Sequence, residues 1–248
     1  MQEQSYTRLR RDPSRSSVPG SLPALFFGDR FTAQAVTVGL NPSDREFLNA
    51  QKHELEGEAR RFETLASLNA QDRSTLTDKQ CALAVQTMRT YFQPGKPVYS
   101  WFRPLDRVME SMGFRYQVGA AAHLDLAQEA TDPTWSALAK ASPSEFAALR
   151  AQDLPFLQWQ LAITPLALIV CNGRTVFDTV RALIGGQVLA TGQMEKLTWY
   201  IGSASIAGRI TGLAGWNLPL ARPTGLDAKG QTELGHILAA ELRKANVW

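Results

Sequence analysis

Apolar and polar positions along the chain follow two periods, and their order predicts strands alternating with helices. Ala35-Val36-Thr37-Val38-Gly39-Leu40 is a short β-branched run that stops at Asn41-Pro42-Ser43, where Pro removes a backbone donor and breaks the strand. Helical spacing of apolar residues follows over Glu46–Ala70 and again over Asp78–Tyr91. Leu105, Val108, Met109 and Met112 fall at i, i+3, i+4, i+7, and Gly113 stands where that helix should stop.

Tyr116–Leu126 reads as a second strand, followed by the turn-rich Glu129-Ala130-Thr131-Asp132-Pro133. Asp132-Pro133-Thr134-Trp135 reads as a helix start, with Asp132 as cap and Pro133 in the first turn. Phe146–Gln160 is helical, Leu166–Cys171 is a continuous apolar run, and a helix over Thr175–Leu183 follows the turn Asn172-Gly173-Arg174. Leu197–Ile201 and Ser205–Thr211 make a late hairpin or strand pair before Gly215-Trp216-Asn217-Leu218-Pro219, and a helix over Gln231–Ala245 closes the chain. This order predicts an α/β fold: a three-layer α/β/α sandwich around a central, mostly parallel four-stranded sheet. In such sheets ligands sit in loops beyond the carboxyl ends of the strands, here after Leu40, Leu126, Cys171 and Gly215.

Composition narrows the picture. A chain of 248 residues with 44% hydrophobic content can bury one core, and no composition break separates two, so one domain over residues 24–248 is expected. Residues 1–23 carry Arg8, Arg10, Arg11 and Arg15 among Ser and Pro without the apolar run of a signal peptide, and read as a loose basic arm. No stretch approaches the roughly 18 consecutive apolar residues of a membrane span. Cys81 and Cys171 stand apart from other Cys or His, so neither a disulfide framework nor a metal site is expected, and a reducing cytoplasm is the default. The net charge of +3 is compatible with a phosphate-backbone partner. Neither a Walker loop nor a dinucleotide glycine fingerprint is present.

Gly39-Leu40-Asn41-Pro42-Ser43, directly off the first strand, resembles the first motif of the mismatch-specific and single-strand-selective uracil-DNA glycosylases, Gly-x-Asn-Pro-Gly, with Ser43 in place of the last Gly. His123-Leu124-Asp125-Leu126 falls where that superfamily carries an Asn that reads the pyrimidine edge, and Asp125 aligns with it. Gly215-Trp216-Asn217-Leu218-Pro219-Leu220 falls where it has His-Pro-Ser-Pro-Leu-Ser or Asn-Pro-Ser-Gly-Leu-Ser. The resemblance spans about Phe31 to the final helix.

It implies a monofunctional DNA glycosylase that needs neither metal nor organic cofactor, acts as a monomer and has DNA as its partner. By resemblance Asn41 holds the attacking water, Trp216 and Asn217 face the charge on the leaving base, and Asp125, Phe47 and His123 bind the flipped base. Ser43, Leu220 as wedge, Arg174 and Arg222 contact DNA. An ionised Asp only accepts hydrogen bonds, so Asp125 suits an exocyclic amine better than the oxygen-rich edge of uracil. Trp216 replaces a His and has no cationic form, which leaves open a module that binds a modified base without cutting it. A hydrolase or transferase of free nucleosides is the third alternative, since fold does not fix function.

Each residue also has an ordinary structural reading. Asn41 caps a turn, Asp125 pairs with Arg103 or His123, and His123, Trp216 and Phe47 are core residues.

Overall fold

The structure, a computed structural model, describes residues 2–220 and 226–248. In chain order its elements are α1 (Gln2–Leu9), β1 (Ala35–Gly39), α2 (Asp78–Arg89), α3 (Phe102–Ser111), β2 (Ala121–Asp125), α4 (Trp135–Ala141), α5 (Pro143–Ala162), β3 (Leu168–Asn172), α6 (Arg174–Leu183), β4 (Gln187–Met194), β5 (Leu197–Ile206), β6 (Arg209–Trp216) and α7 (Ala228–Lys244). Arg222 lies outside the described residues. No described helix is long and apolar enough to cross a membrane.

The chain is α/β, with a mostly parallel sheet of six strands in the order β2-β1-β3-β6-β5-β4 where the sequence predicts four. β1 runs parallel to β3 with Val38 beside Cys171, and β3 runs parallel to β6 with Asn172 beside Trp216. β5 and β4 extend this core antiparallel, joined by the tight turn Glu195-Lys196. β4 escapes the sequence reading because Gln187–Met194 is mostly exposed and carries no sustained alternation. The second strand is also shorter than Tyr116–Leu126: residues 116–119 form a turn and pairing starts at Ala121.

The residues divide into two compact units, and the backbone passes between them five times. That interleaving explains why no composition break marks them. Unit 1 comprises Met1–Gly28, Leu40–Tyr99 and Asp125–Pro155; unit 2 comprises Asp29–Gly39, Ser100–Leu124 and Phe156–Trp248.

Unit 2 is layered. Gly212 and Gly215 of β6 lie three positions apart and so face opposite sides of the sheet. A Cβ on Gly215 would meet Phe177 of α6, whereas one on Gly212 would meet the Val247 carbonyl just after α7. The two helices therefore cover opposite faces, and α3 packs on α7. There Gly235 allows close approach: a Cβ would lie 2.5 Å from the Val108 carbonyl.

Unit 1 departs from the sequence reading at three places. Residues 1–23 do not begin as a loose arm: Gln2–Leu9 is helical, Leu9 is buried, and the Arg8 guanidinium donates to the buried Asp153 carboxylate at 2.5 Å. Arg-rich composition suggested solvent, but a charge with buried acceptors can be internal.

Glu46–Ala70 forms no α-helix and holds instead single 3-10 turns at Asp44–Glu46 and Gly57–Ala59. Gly57 adopts φ +54°, and long-range backbone bonds such as Leu65 N–H to the Gly20 carbonyl replace helical ones. The third correction is the cap of α4. It is Thr134, while the Asp132 carboxylate accepts from Lys52 Nζ at 2.9 Å. α2 forms as expected, closed by a reciprocal Thr77–Gln80 capping box.

Candidate functional site

In unit 1 the loop that follows β1 turns at Asn41-Pro42-Ser43. The Asn41 Nδ2 donates towards the Glu129 carbonyl (3.1 Å), Thr131 Oγ1 (3.2 Å) and the Pro42 carbonyl (3.0 Å). These three acceptors share two hydrogens, which fixes the amide and leaves Oδ1 as the acceptor that can orient a water molecule. Ser43 serves the local fold: its hydroxyl accepts from Arg45 N–H and caps the 3-10 turn.

Glu46, at the end of that turn, is a buried acid that sequence reasoning did not single out. It is buried, and Tyr91 Oη donates to its Oε2 at 2.8 Å while accepting from Tyr99 N–H. Burial pushes its carboxyl up to about 8, against the Tyr91 hydrogen bond and the Arg61 charge; the nearby Asp125 raises it further. Asp125 is buried at the end of β2. A lone Glu in the charged stretch 44–63 gives no sequence signal of burial, because its partner Tyr91 lies 45 residues away.

Phe47 is not an open stacking platform. It is 2% exposed and stacks on Phe62, which in turn stacks on Tyr91 within an aromatic cluster that includes Phe27. Its reading as a base-binding ring gives way to the structural one.

Behind Asn41, the Glu129 carboxylate takes a two-pronged bond from Arg73, with Nη1 to Oε1 at 2.8 Å and Nη2 to Oε2 at 3.0 Å. Ser17 adds a third bond at 2.9 Å. Burial alone would raise the Glu129 carboxyl, but Arg73, Arg8 and Ser17 together hold it below the usual range.

In unit 2, Trp216 is fully buried and its one donor is committed: Nε1–H bonds Asn172 Oδ1 at 3.0 Å. The same oxygen accepts from Leu220 N–H at 3.0 Å. This corrects two expectations. The indole does not face a leaving group, and Leu220, at 3% exposed, is packed inward in this conformation, whereas Leu218 in the same loop is 43% exposed.

Asn217 is a turn anchor, its Oδ1 accepting from Thr198 N–H and its carbonyl from Arg174 N–H. His123 is an interior residue whose Nδ1 bonds Thr37 Oγ1 at 2.7 Å, with edge contacts to Trp101 and Phe102. Arg174 remains available: its side chain is 56% exposed, held beside Asp178 and over the Tyr200 ring. It opens α6 after Gly173, whose φ of +114° an L side chain rarely adopts.

Unit 2 also carries the positive excess of the chain, with twelve Lys and Arg against eight Asp and Glu. Among the described residues no cluster of three or more His, Cys, Asp or Glu is placed to hold a metal ion. No protein-family model matches the chain, and no curated protein matches it.

Proposed function

We propose that the chain is a DNA glycosylase that hydrolyses the N-glycosidic bond of a damaged or modified base turned out of the DNA stack. The observation that carries this reading is the fixed Asn41 amide, with its nitrogen committed to the Glu129–Thr131 loop and its oxygen left to place a water. The water oxygen bonds the sugar C1′ as the C1′–N bond breaks, and the base departs with the electron pair. The proton released by the water passes to the base or to solvent. A neutral amide is a weak base, so positioning supplies the acceleration and turnover is slow.

Asp125 reads the base in this scheme, since an ionised carboxylate only accepts hydrogen bonds and so suits an exocyclic amine. A cytosine-like or modified base is favoured over uracil. Alkali-induced cleavage of labelled oligonucleotides carrying uracil, hypoxanthine, a G·T mismatch and modified cytosines tests the proposal. Release at one base, abolished in Asn41→Ala with DNA binding retained, is expected; release that persists unchanged in that variant removes Asn41 from the chemistry.

One observation favours a second reading. Trp216 occupies the place of a leaving-group His and spends its single donor on Asn172, so this position supplies no charge stabilisation to a departing base. A module that binds a modified base without cutting it follows from that. Tight binding to one modified oligonucleotide with no cleavage of any would select it.

A further inference from the structure

We infer that Arg73 is a positioning residue that holds the Asn41 amide in place through Glu129, an inference that rests on the reading of Asn41 as the water holder. The path is short and lies wholly within unit 1. Asn41 Nδ2 is held by the Glu129 carbonyl and by Thr131 Oγ1, so the amide follows the backbone of residues 129–131. That backbone lies beyond the end of β2 and pairs with the distant segment 16–18 only at isolated points: Val18 N–H to the Ala130 carbonyl, Asp132 N–H to the Ser16 carbonyl, and a single bridge between Ser17 and Thr131. A segment with so few ladder bonds needs side-chain anchors to keep one geometry.

The anchor is Glu129, which is fully buried. Both carboxylate oxygens are taken by the Arg73 fork, and Oε2 also by Ser17. Arg73 is itself buried and fixed from its other side, where Nε and Nη2 donate to the Ser21 carbonyl at 3.0 and 2.8 Å. The guanidinium therefore ties segment 17–21 to Glu129 in one plane, which a lysine ammonium cannot reproduce.

A second arm leads to Asp125. Arg8 Nε donates to Gln128 Oε1 at 3.1 Å, the Asp153 carboxylate accepts from Gln128 N–H at 2.8 Å, and Gln128 Nε2 approaches the Asp125 carbonyl at 3.4 Å. The loop that follows β2 is thus braced from behind by Arg8, Arg11 and Arg73 with the carboxylates of Glu129 and Asp153. The arrangement cannot be exchanged piecemeal, since removing one partner strands a buried charge. A network this costly to bury is explained by what it orders: the Glu129 carbonyl and the Thr131 hydroxyl that accept from Asn41.

The test uses the full chain with Arg73→Lys and the milder Ser17→Ala, and Leu238→Ala in the unit 2 core as a control for general destabilisation. The readouts are the Asn41 side-chain amide signals in 15N-labelled protein, assigned by their loss in Asn41→Asp, and single-turnover base release beside DNA affinity. Expected are shifted Asn41 signals, amide exchange faster by about tenfold, and release slower by about tenfold at unchanged DNA affinity, the scale of one lost hydrogen bond. Leu238→Ala leaves the signals in place. Wild-type Asn41 signals in a folded Arg73→Lys overturn the inference; if that variant does not fold, the same result in Ser17→Ala does. If wild-type protein releases no base, the glycosylase reading falls while the amide signals still decide the positioning role.

Discussion

Asn172 and Trp216 are register partners on the parallel strands β3 and β6, and a single oxygen, Asn172 Oδ1, accepts both the Trp216 indole N–H and the Leu220 backbone N–H. One side-chain carbonyl at the end of the neighbouring strand therefore holds both Trp216 and Leu220, while Asn217 between them is anchored to Thr198 and Arg174. Asn172→Ala strands two buried donors, and at roughly 1–3 kcal/mol each the loss is about 2–6 kcal/mol. Asn172→Asp keeps the acceptor and should cost less. Urea unfolding of the two variants measures this; equal losses would show that the bonds to Oδ1 are not what holds the loop.

Glu46 makes stability depend on pH. In the folded state its carboxyl is raised by burial from 4.5 to about 8. Below 4.5 both folded and unfolded chains hold the proton and nothing changes. Between 4.5 and 8 the unfolded chain releases it while the folded chain keeps it, so stability falls as pH rises, and above 8 the loss is complete. The full difference is on the order of 4–5 kcal/mol. The groups around it are Tyr91, Arg61 and Asp125. Glu46→Gln removes the ionisation, so its urea midpoint should overtake that of the wild type between pH 5 and 9. Parallel midpoint curves over that range would show that Glu46 does not hold its proton in the fold.

What the sequence reveals depends on how local the cause is. β1, β3, α6 and α7 are legible because an apolar run or a 3.6-residue period is a local property, and Asn41 is legible because its place follows directly from the end of β1. Glu46–Ala70 misleads because its helical spacing competes with partners far along the chain, among them the Gly20 carbonyl, which accepts from Leu65 N–H, and Tyr91, which donates to Glu46. Glu46, Arg73 and Glu129 stay hidden for the same reason: each owes its burial to partners 45 or more positions away. Trp216 shows the opposite limit, for its identity is plain but the commitment of its donor follows from the β3–β6 register.

Arg174 is the phosphate contact under the glycosylase reading, its guanidinium exposed beside Asp178 and Tyr200 in the unit that holds the positive excess. If it meets a phosphate, Arg174→Ala should weaken binding alike for all sequences and reduce the slope of log affinity against log salt by about 1. Fluorescence anisotropy on an unmodified duplex at several salt concentrations measures this. An unchanged slope would place Arg174 off the DNA path and leave it as a partner of Asp178 and Tyr200.

Asp125 is where the identity of the base is set under the glycosylase reading. Its carboxylate accepts but does not donate when ionised, so an exocyclic amine is a fitting partner and a carbonyl oxygen is not. Asn at the same position offers a donor and an acceptor, and its neutral amide also removes the charge that raises Glu46. Asp125→Asn should therefore shift release, or binding if nothing is released, from amino-bearing bases towards uracil-like ones, by about tenfold or more on the scale of a base-edge contact. It should also lower the pH at which Glu46 ionises, visible as a shift of the stability transition near 8 to lower pH. The two effects separate the possibilities. A shifted transition with unchanged base preference would keep Asp125 beside Glu46 but remove it from base recognition, whereas a changed preference with an unmoved transition would mean that the two carboxyl groups act independently.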